Sequence, residues 1–439
     1  MSNEYLALLM MVIMIICMMM GAHVGLVMGG LAVIFGFLGG GVDTLSLFPD
    51  RVFSICVSFP LEAVTLFILM GVILERSGIA ERLYRVFHIL MGPIKGGLLI
   101  ATLILAALIA ACTGISGASV ISIGLIALPS MLKAGYDKKV ATGTICSGGG
   151  LAVIIPPSLM LILYGPGSGQ SISTLFTAAM IPGLLIVAFY ILYVVILCYA
   201  KPHMGPTLPL EERNKYSTKT KLLMILTSLI PILGLIFTVL GSILFGFASP
   251  TEAAAVGAIC SLVICAIYGQ LTWNTIKTIC WSTIRISALI MIIVVGAGVF
   301  TTVFMDFKGG DLVANWIISL GLGKLGVTIL LLCIIFILGM FMDWVAILMV
   351  FLPIVVRLTS ELNINPLWFA ILFCITLQIS YVTPPFSYSV FYLRGITPPG
   401  VTLMDIYRGV VPFIPIQIMI LVLLYKYPQL ALWLPSALR

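Results

Sequence analysis

Charge is scarce in this 439-residue sequence: Asp, Glu, Lys and Arg together make up 8% of it, against about a quarter in soluble globular domains. A soluble globule is therefore excluded, and no polar stretch is long enough to form a separate soluble domain. There is no G-x-x-x-x-G-K-[ST] loop to cradle a nucleotide phosphate, which argues against an ATP-driven pump contained in this chain. Neither a nucleophile elbow nor an H-E-x-x-H pair is present, and the residues give no sign of an organic cofactor. His23, His88 and His203 are scattered without metal-ligand spacing, so no transition-metal site is expected. The ten cysteines form no C-x-x-C pair and nearly all sit in apolar runs, where they read as small buried hydrophobes. The start, Met1 to Tyr5, lacks the basic region of a signal peptide, so the first apolar segment is expected to stay as a span.

What is abundant is apolar: 62% of the residues, with a mean hydropathy of +1.25. At roughly 20 residues per bilayer crossing, this is an all-α polytopic membrane protein. Crossings are expected over 5–20, 22–40, 60–76, 140–164, 172–200, 221–247, 250–269, 282–305, 365–394 and 404–427. Two further runs, 95–133 and 324–357, are interrupted at Gly114–Ser119 and Gly339–Asp343. Each half is expected to be too short to span, so both read as re-entrant hairpins.

The net charge of +7 reports loop orientation rather than a nucleic-acid partner. With the N-terminus outside and both hairpins returning to their side of entry, most Lys and Arg fall inside. These include Arg76, Arg82, Arg85, Lys133, Lys139, Lys201, Arg213, Lys215, Arg285, Arg394 and Arg408, whereas Arg51, Lys308, Lys324, Arg357, Lys426 and Arg439 fall outside. The runs around Arg82 and Arg285 read as amphipathic helices along the interface.

The two halves match in ordered punctuation at an offset of roughly 224 to 232 residues. Gly78–Leu83 answers Gly310–Asn315, Gly114–Pro129 answers Gly339–Pro353, and Pro156-Pro157-Ser158 answers Pro384-Pro385-Phe386. Residues 1–200 then form a first repeat with its hairpin at 95–133 and a broken helix at 140–164. A polar, basic cytoplasmic linker occupies 201–221. Residues 222–439 form a second repeat with a hairpin at 324–357 and a broken helix at 365–394. Five crossings per half is an odd number, so the copies are inverted in the membrane. Inverted repeats with broken helices are the signature of a secondary transporter, because backbone groups freed at the breaks must be satisfied by protein, water, ion or substrate. Half-helix N-termini favour an anion and freed carbonyls favour Na+.

Candidate ion and substrate residues follow from the breaks: Gly114, Ser116, Ser119, Gly149, Val153 and Pro156 in the first half, and Gly339, Asp343, Ser380, Val382, Thr383 and Pro384 in the second. Asp343 is a carboxylate inside an apolar run, placed either to bind an ion or to cap the half-helix after it. Glu62, Glu75 and Glu252 lie at span ends and read as interfacial. Ser249-Pro-Thr-Glu252 reads as a helix start with Pro at its first position. Arg394 is placed at the cytoplasmic end of its span, as an anchor rather than an anion partner. The rival class is an intramembrane hydrolase built on Asp306 and Asp343; the repeat needs no such dyad, and the chain is expected not to be an enzyme. Within transport, the alternative is a stand-alone ion-coupled anion permease.

Gly114-Ile-Ser-Gly-Ala-Ser119, Pro129–Asp137, Gly148–Ser158, Ser249–Ala255 and Thr383–Phe386 closely resemble the large membrane subunit of tripartite ATP-independent periplasmic (TRAP) transporters, over nearly the whole chain. The resemblance implies an elevator-type, Na+-driven importer of small organic acids, carboxylates or sulfonates, in a bacterial inner membrane. It also implies two partners, a soluble periplasmic substrate-binding protein and a small four-helix membrane subunit. Substrate would be held between the hairpins and the Pro156 and Pro384 breaks, moving as one body past a scaffold drawn from 1–76 and 221–305.

Overall fold

The computed structural model describes residues 3–209, 217–385 and 387–438. Arg213, Lys215, Phe386 and Arg439 lie outside the described residues, as does the middle of the 201–221 linker. The described residues are helical throughout and contain no strand. The helices are α1 (Asn3–Met19), α2 (Val24–Cys56), α3 (Phe59–Arg76), α4 (Ile79–Met91), α5 (Gly97–Thr113), α6 (Ser116–Lys133), α7 (Lys138–Gly149), α8 (Leu159–Ser168) and α9 (Ile172–Ala200). After the linker come α10 (Thr218–Ile236), α11 (Pro250–Ile267), α12 (Trp273–Asp306), α13 (Gly309–Ser319), α14 (Gly323–Gly339), α15 (Trp344–Glu361), α16 (Pro366–Val382), α17 (Tyr388–Arg394), α18 (Leu403–Val410), α19 (Phe413–Lys426) and α20 (Gln429–Ala437).

Among the described residues, eight helices are long and apolar enough to cross a membrane, or nine when the bent pair α3 and α4 counts as one span. The sequence places their ends by local chemistry. Asp137 caps α7, its carboxylate accepting from the Lys139 and Val140 amides at 2.9 and 3.1 Å. Asn365 caps α16 in the same way, through Leu367 and Trp368 at 3.0 and 3.1 Å. Ser249 and Glu252 form a reciprocal capping box with Pro250 at the first helical position, as the motif predicts.

Two expectations about the spans are corrected and one is extended. The helix of the second crossing is broken near 40, at Gly41, whose φ of +65° leaves helical geometry, and a further helical piece runs on to Cys56. Arg285 does not lie on a separate interfacial helix. With neither Gly nor Pro between Trp273 and Val295, nothing interrupts α12, and it runs unbroken for 34 residues. Such a helix is about 50 Å long, well beyond the ~30 Å hydrocarbon core. The helices α6 and α15, at 18 residues each, are long and apolar enough to cross, so only the first limbs, α5 and α14, are short.

The Arg82 helix does form as a separate piece, α4, bent 59° from α3. Its buried face carries Leu83, Tyr84 and Phe87, and its exposed face Glu81, Arg82 and Arg85. The Arg82 guanidinium sits 4.4 Å from the centre of the Tyr268 ring, tying α4 to the end of α11.

One group of helices, α1 to α3 with α11 and α12, packs side by side. The crossing of α2 and α12 is close enough that a Cβ on Gly25 would lie 2.6 Å from the Ile292 carbonyl oxygen, the small-residue approach that lets helices associate in lipid. The second group is built on α5 to α9 and α14 to α19. The groups touch where α3 meets α5 and α8 and where α12 meets α15.

Candidate functional site

Two helix turns and two helix breaks make the site. In the first turn α5 ends at Thr113, Gly114 adopts φ +61°, and α6 begins at Ser116. In the second, α14 ends at Gly339 and Asp343 opens α15, its carboxylate accepting from the Val345 amide at 2.9 Å. The first break is a tightened turn at Gly150–Val153 followed by a cis Pro156-Pro157 bond, and the second carries a cis Pro384-Pro385 bond. Each turn packs on the break of its own half. A Cβ on Gly114 would lie 3.2 Å from the Leu159 amide nitrogen, and one on Gly339 would collide with the Ser380 side chain.

A cavity of about 390 Å³ opens where these parts face the long helices. Gly114, Ile115, Ser116 and Gly117 line it from the first turn, Val153 and Leu159 from the first break, and Asp343, Trp344 and Val345 from the second turn. Tyr381 and Tyr392 come from either side of the second break. The opposite wall is Val72, Glu75 and Arg76 on α3 and Ser282, Ile286 and Ile290 on α12.

Of the residues expected from the sequence, Gly114, Ser116, Val153 and Asp343 thus meet in one space. The others stand behind that surface. Ser119 is buried with its hydroxyl 3.0 Å from that of Thr113. Gly149 packs on Val120 and Gly339 on Ser380. The Ser380 hydroxyl donates to the Leu377 carbonyl at 2.7 Å and that of Thr383 to the Ile379 carbonyl at 2.7 Å. Pro156 and Val382 are buried, and Pro384 is exposed on the second break. The Val153 carbonyl already accepts the Ser158 hydroxyl at 2.6 Å. Arg394 lies elsewhere, donating to Thr397 and to the Val401 carbonyl. The Asp306–Asp343 pair does not gather in the cavity: Asp343 lines it, while Asp306 is exposed at the end of α12.

Sequence reasoning assigned Glu75 to the interface and passed over Arg76, Trp344, Tyr381 and Tyr392. Glu75 is half-buried and lines a small space together with Ser122 of α6. The available signal was a carboxylate one turn beyond the buried Gly71 and Val72, on the face of α3 turned to other helices. Buried polar side chains lacking hydrogen-bond partners also collect on the broken helices: Thr144 and Ser147 on α7, Gln378 on α16, and Ser387 and Ser389 past the second break. Such groups are costly unless water, an ion or a ligand meets them.

Comparison with known proteins bears on this arrangement. The family model described as "Tripartite ATP-independent periplasmic transporter, DctM component" matches residues 11–430. A C4-dicarboxylate TRAP transporter large permease protein of Pseudomonas aeruginosa is 29% identical, over 91% of this chain and 93% of its own. An ectoine TRAP transporter large permease protein of Halomonas elongata is 31% identical, over 85% and 86%. In fold, the chain is similar to the crystal structure of the Alcanivorax borkumensis YdaH transporter, with a TM-score of 0.65 at 16% identity, over 94% of this chain and 97% of that one.

Proposed function

The chain belongs to the DctM component family of tripartite ATP-independent periplasmic transporters, and on that premise we propose that it imports a small organic anion, carboxylate or sulfonate, coupled to Na+. The single observation supporting this is the convergence of both turns and both helix breaks on one cavity against α3 and α12. Cavities at discontinuous helices are where secondary transporters hold anionic substrates and coupling ions. In this reading the halves 1–200 and 222–439 are inverted repeats, and α5–α6 and α14–α15 are re-entrant hairpins in a bacterial inner membrane with the N-terminus periplasmic.

One Na+ would sit with oxygens near Gly114, Ser116, Ser119, Gly149, Val153 and Pro156. A second would sit near Gly339, Asp343, Ser380, Val382, Thr383 and Pro384. Asp343 supports the second site best, since capping Val345 uses one carboxylate oxygen and leaves the other for a cation. The hairpins and broken helices would move together past α1–α3 and α10–α12 as an elevator. A periplasmic binding protein would deliver substrate, and a small four-helix membrane subunit would brace the scaffold.

Proteoliposome uptake tests the reading. The chain, reconstituted with a small membrane subunit and a binding protein, is expected to accumulate an organic acid only under an inward Na+ gradient. Accumulation without the binding protein would make it a stand-alone permease, and cleavage without accumulation would make it an enzyme. Gradient-independent uptake would exclude Na+ coupling.

A further inference from the structure

The cavity is unevenly furnished. Among the described residues lining it, Arg76 is the sole cationic side chain, and Glu75 and Asp343 are the carboxylates. Two helix starts open onto it, but they differ. Asp343 already occupies the start of α15, whereas α6 begins behind Ile115, which has no polar side chain to cap it. An acid group therefore finds one guanidinium and one uncapped helix start, while a second acid group on the same molecule would face protein carboxylates.

Apart from Ser116 and Ser282, the rest of the wall is apolar and aromatic. Trp344, Tyr381 and Tyr392 stand on one side and branched aliphatic residues of α12 on the other. No Asn, Gln, Thr or His lines the cavity among the described residues. With Ser116, Ser282 and the tyrosine hydroxyls as the neutral hydrogen-bonding groups, a polyhydroxylated body would recover only part of the hydrogen bonding it gives up to water. At about 390 Å³ the cavity lies toward the small end of ligand pockets, roughly 300–1,000 Å³.

We infer that the substrate is a monoanion, a single carboxylate or sulfonate on an apolar, ring-sized body, with Arg76 as its charge partner and Tyr392, Tyr381 and Trp344 as the wall that holds the ring. On the same lining, dicarboxylates and sugar acids are expected to bind more weakly. The inference rests on the transport reading and names the substrate class of that site.

The test uses the full chain in lipid nanodiscs with Na+ and three probes: phenylacetate, succinate and N-acetylneuraminate. Binding is read by the shift in thermal unfolding as each is titrated. Phenylacetate is expected to half-saturate at a concentration at least about tenfold lower than the other two. Arg76→Gln should raise that concentration about tenfold and Arg76→Lys should recover part of the loss, while Tyr392→Ala should weaken phenylacetate binding. Tighter binding of succinate or N-acetylneuraminate, no response to phenylacetate, or phenylacetate binding indifferent to Arg76→Gln would each overturn the assignment. Sodium coupling is judged apart from this ranking, by whether uptake of the preferred acid follows the Na+ gradient.

Discussion

Gly117 of the first turn lies directly against Tyr392 beyond the second break: a Cβ built on Gly117 would sit 2.9 Å from the ring carbon Cε2. Residues from opposite halves of the chain thereby share one wall of the cavity. Gly117→Ala pushes this ring while leaving the α6 backbone in an ordinary conformation. Substrate affinity is expected to fall several-fold with thermal stability nearly unchanged, as measured by ligand titration beside a melting curve.

Gly114→Ala should act oppositely, through stability. Its φ of +61° and a Cβ only 2.8 Å from the Pro157 carbonyl oxygen combine backbone strain with a clash against rigid backbone. A loss of about 1–3 kcal/mol is expected. Gly30→Ala, with open space around its Cβ, is the control and should be neutral in the same melt.

The proposed sodium sites predict that Ser116→Ala and Asp343→Asn each raise the Na+ concentration needed for half-maximal uptake. Asn keeps the cap on α15 while removing the charge, so Asp343→Asn should melt close to wild type. Asp343→Ala should lose the cap as well, at a cost of about 1 kcal/mol. Unchanged Na+ dependence in both Ser116→Ala and Asp343→Asn would remove these residues from the ion sites.

Two glutamates at span ends should separate cleanly. Glu252 closes the capping box of α11 on an exposed face, so Glu252→Ala should lower the melting temperature slightly and leave the Na+ dependence of uptake alone. Glu75 lies between the cavity and Ser122. Glu75→Gln is expected to change uptake kinetics with little change in the melt.

An elevator predicts that tying α3 to the first hairpin stops transport. A Cβ on Gly71 would lie 3.2 Å from the Thr113 Cβ, close to disulfide reach. In a background lacking the ten native cysteines, oxidising Gly71→Cys/Thr113→Cys should abolish uptake and reduction should restore it. A bridge within the scaffold, Gly36→Cys/Val303→Cys, should leave uptake intact. Full uptake with the first pair bridged would replace the elevator with local gating.

Much of this protein is local, and local features were legible in the sequence. Apolar runs mark helices because lipid leaves backbone groups no other partner. Gly114, Pro156-Pro157 and Pro384-Pro385 mark interruptions because a left-handed glycine or a proline without an N–H breaks the helical ladder, and Ser249 marks a helix start for an equally short-range reason. The family resemblance was legible too, since it rests on those same motifs. Helix extent was less so: α12 outruns its apolar stretch because nothing in its polar end halts a hydrogen-bond ladder already begun.

Which interruptions meet, and what faces them, belonged to the tertiary structure. Glu75 and Arg76 read as an ordinary polar span end until α3 packs beside α5 and α8 and carries them to the cavity. Tyr392 read as part of an apolar helix until Gly117 is found beneath its ring. The same packing places Ser119 and Gly149 behind the cavity surface and leaves Asp306 at the outer end of α12. A cavity wall is assembled from residues hundreds of positions apart, and no periodicity along the chain encodes the side on which a partner helix will lie.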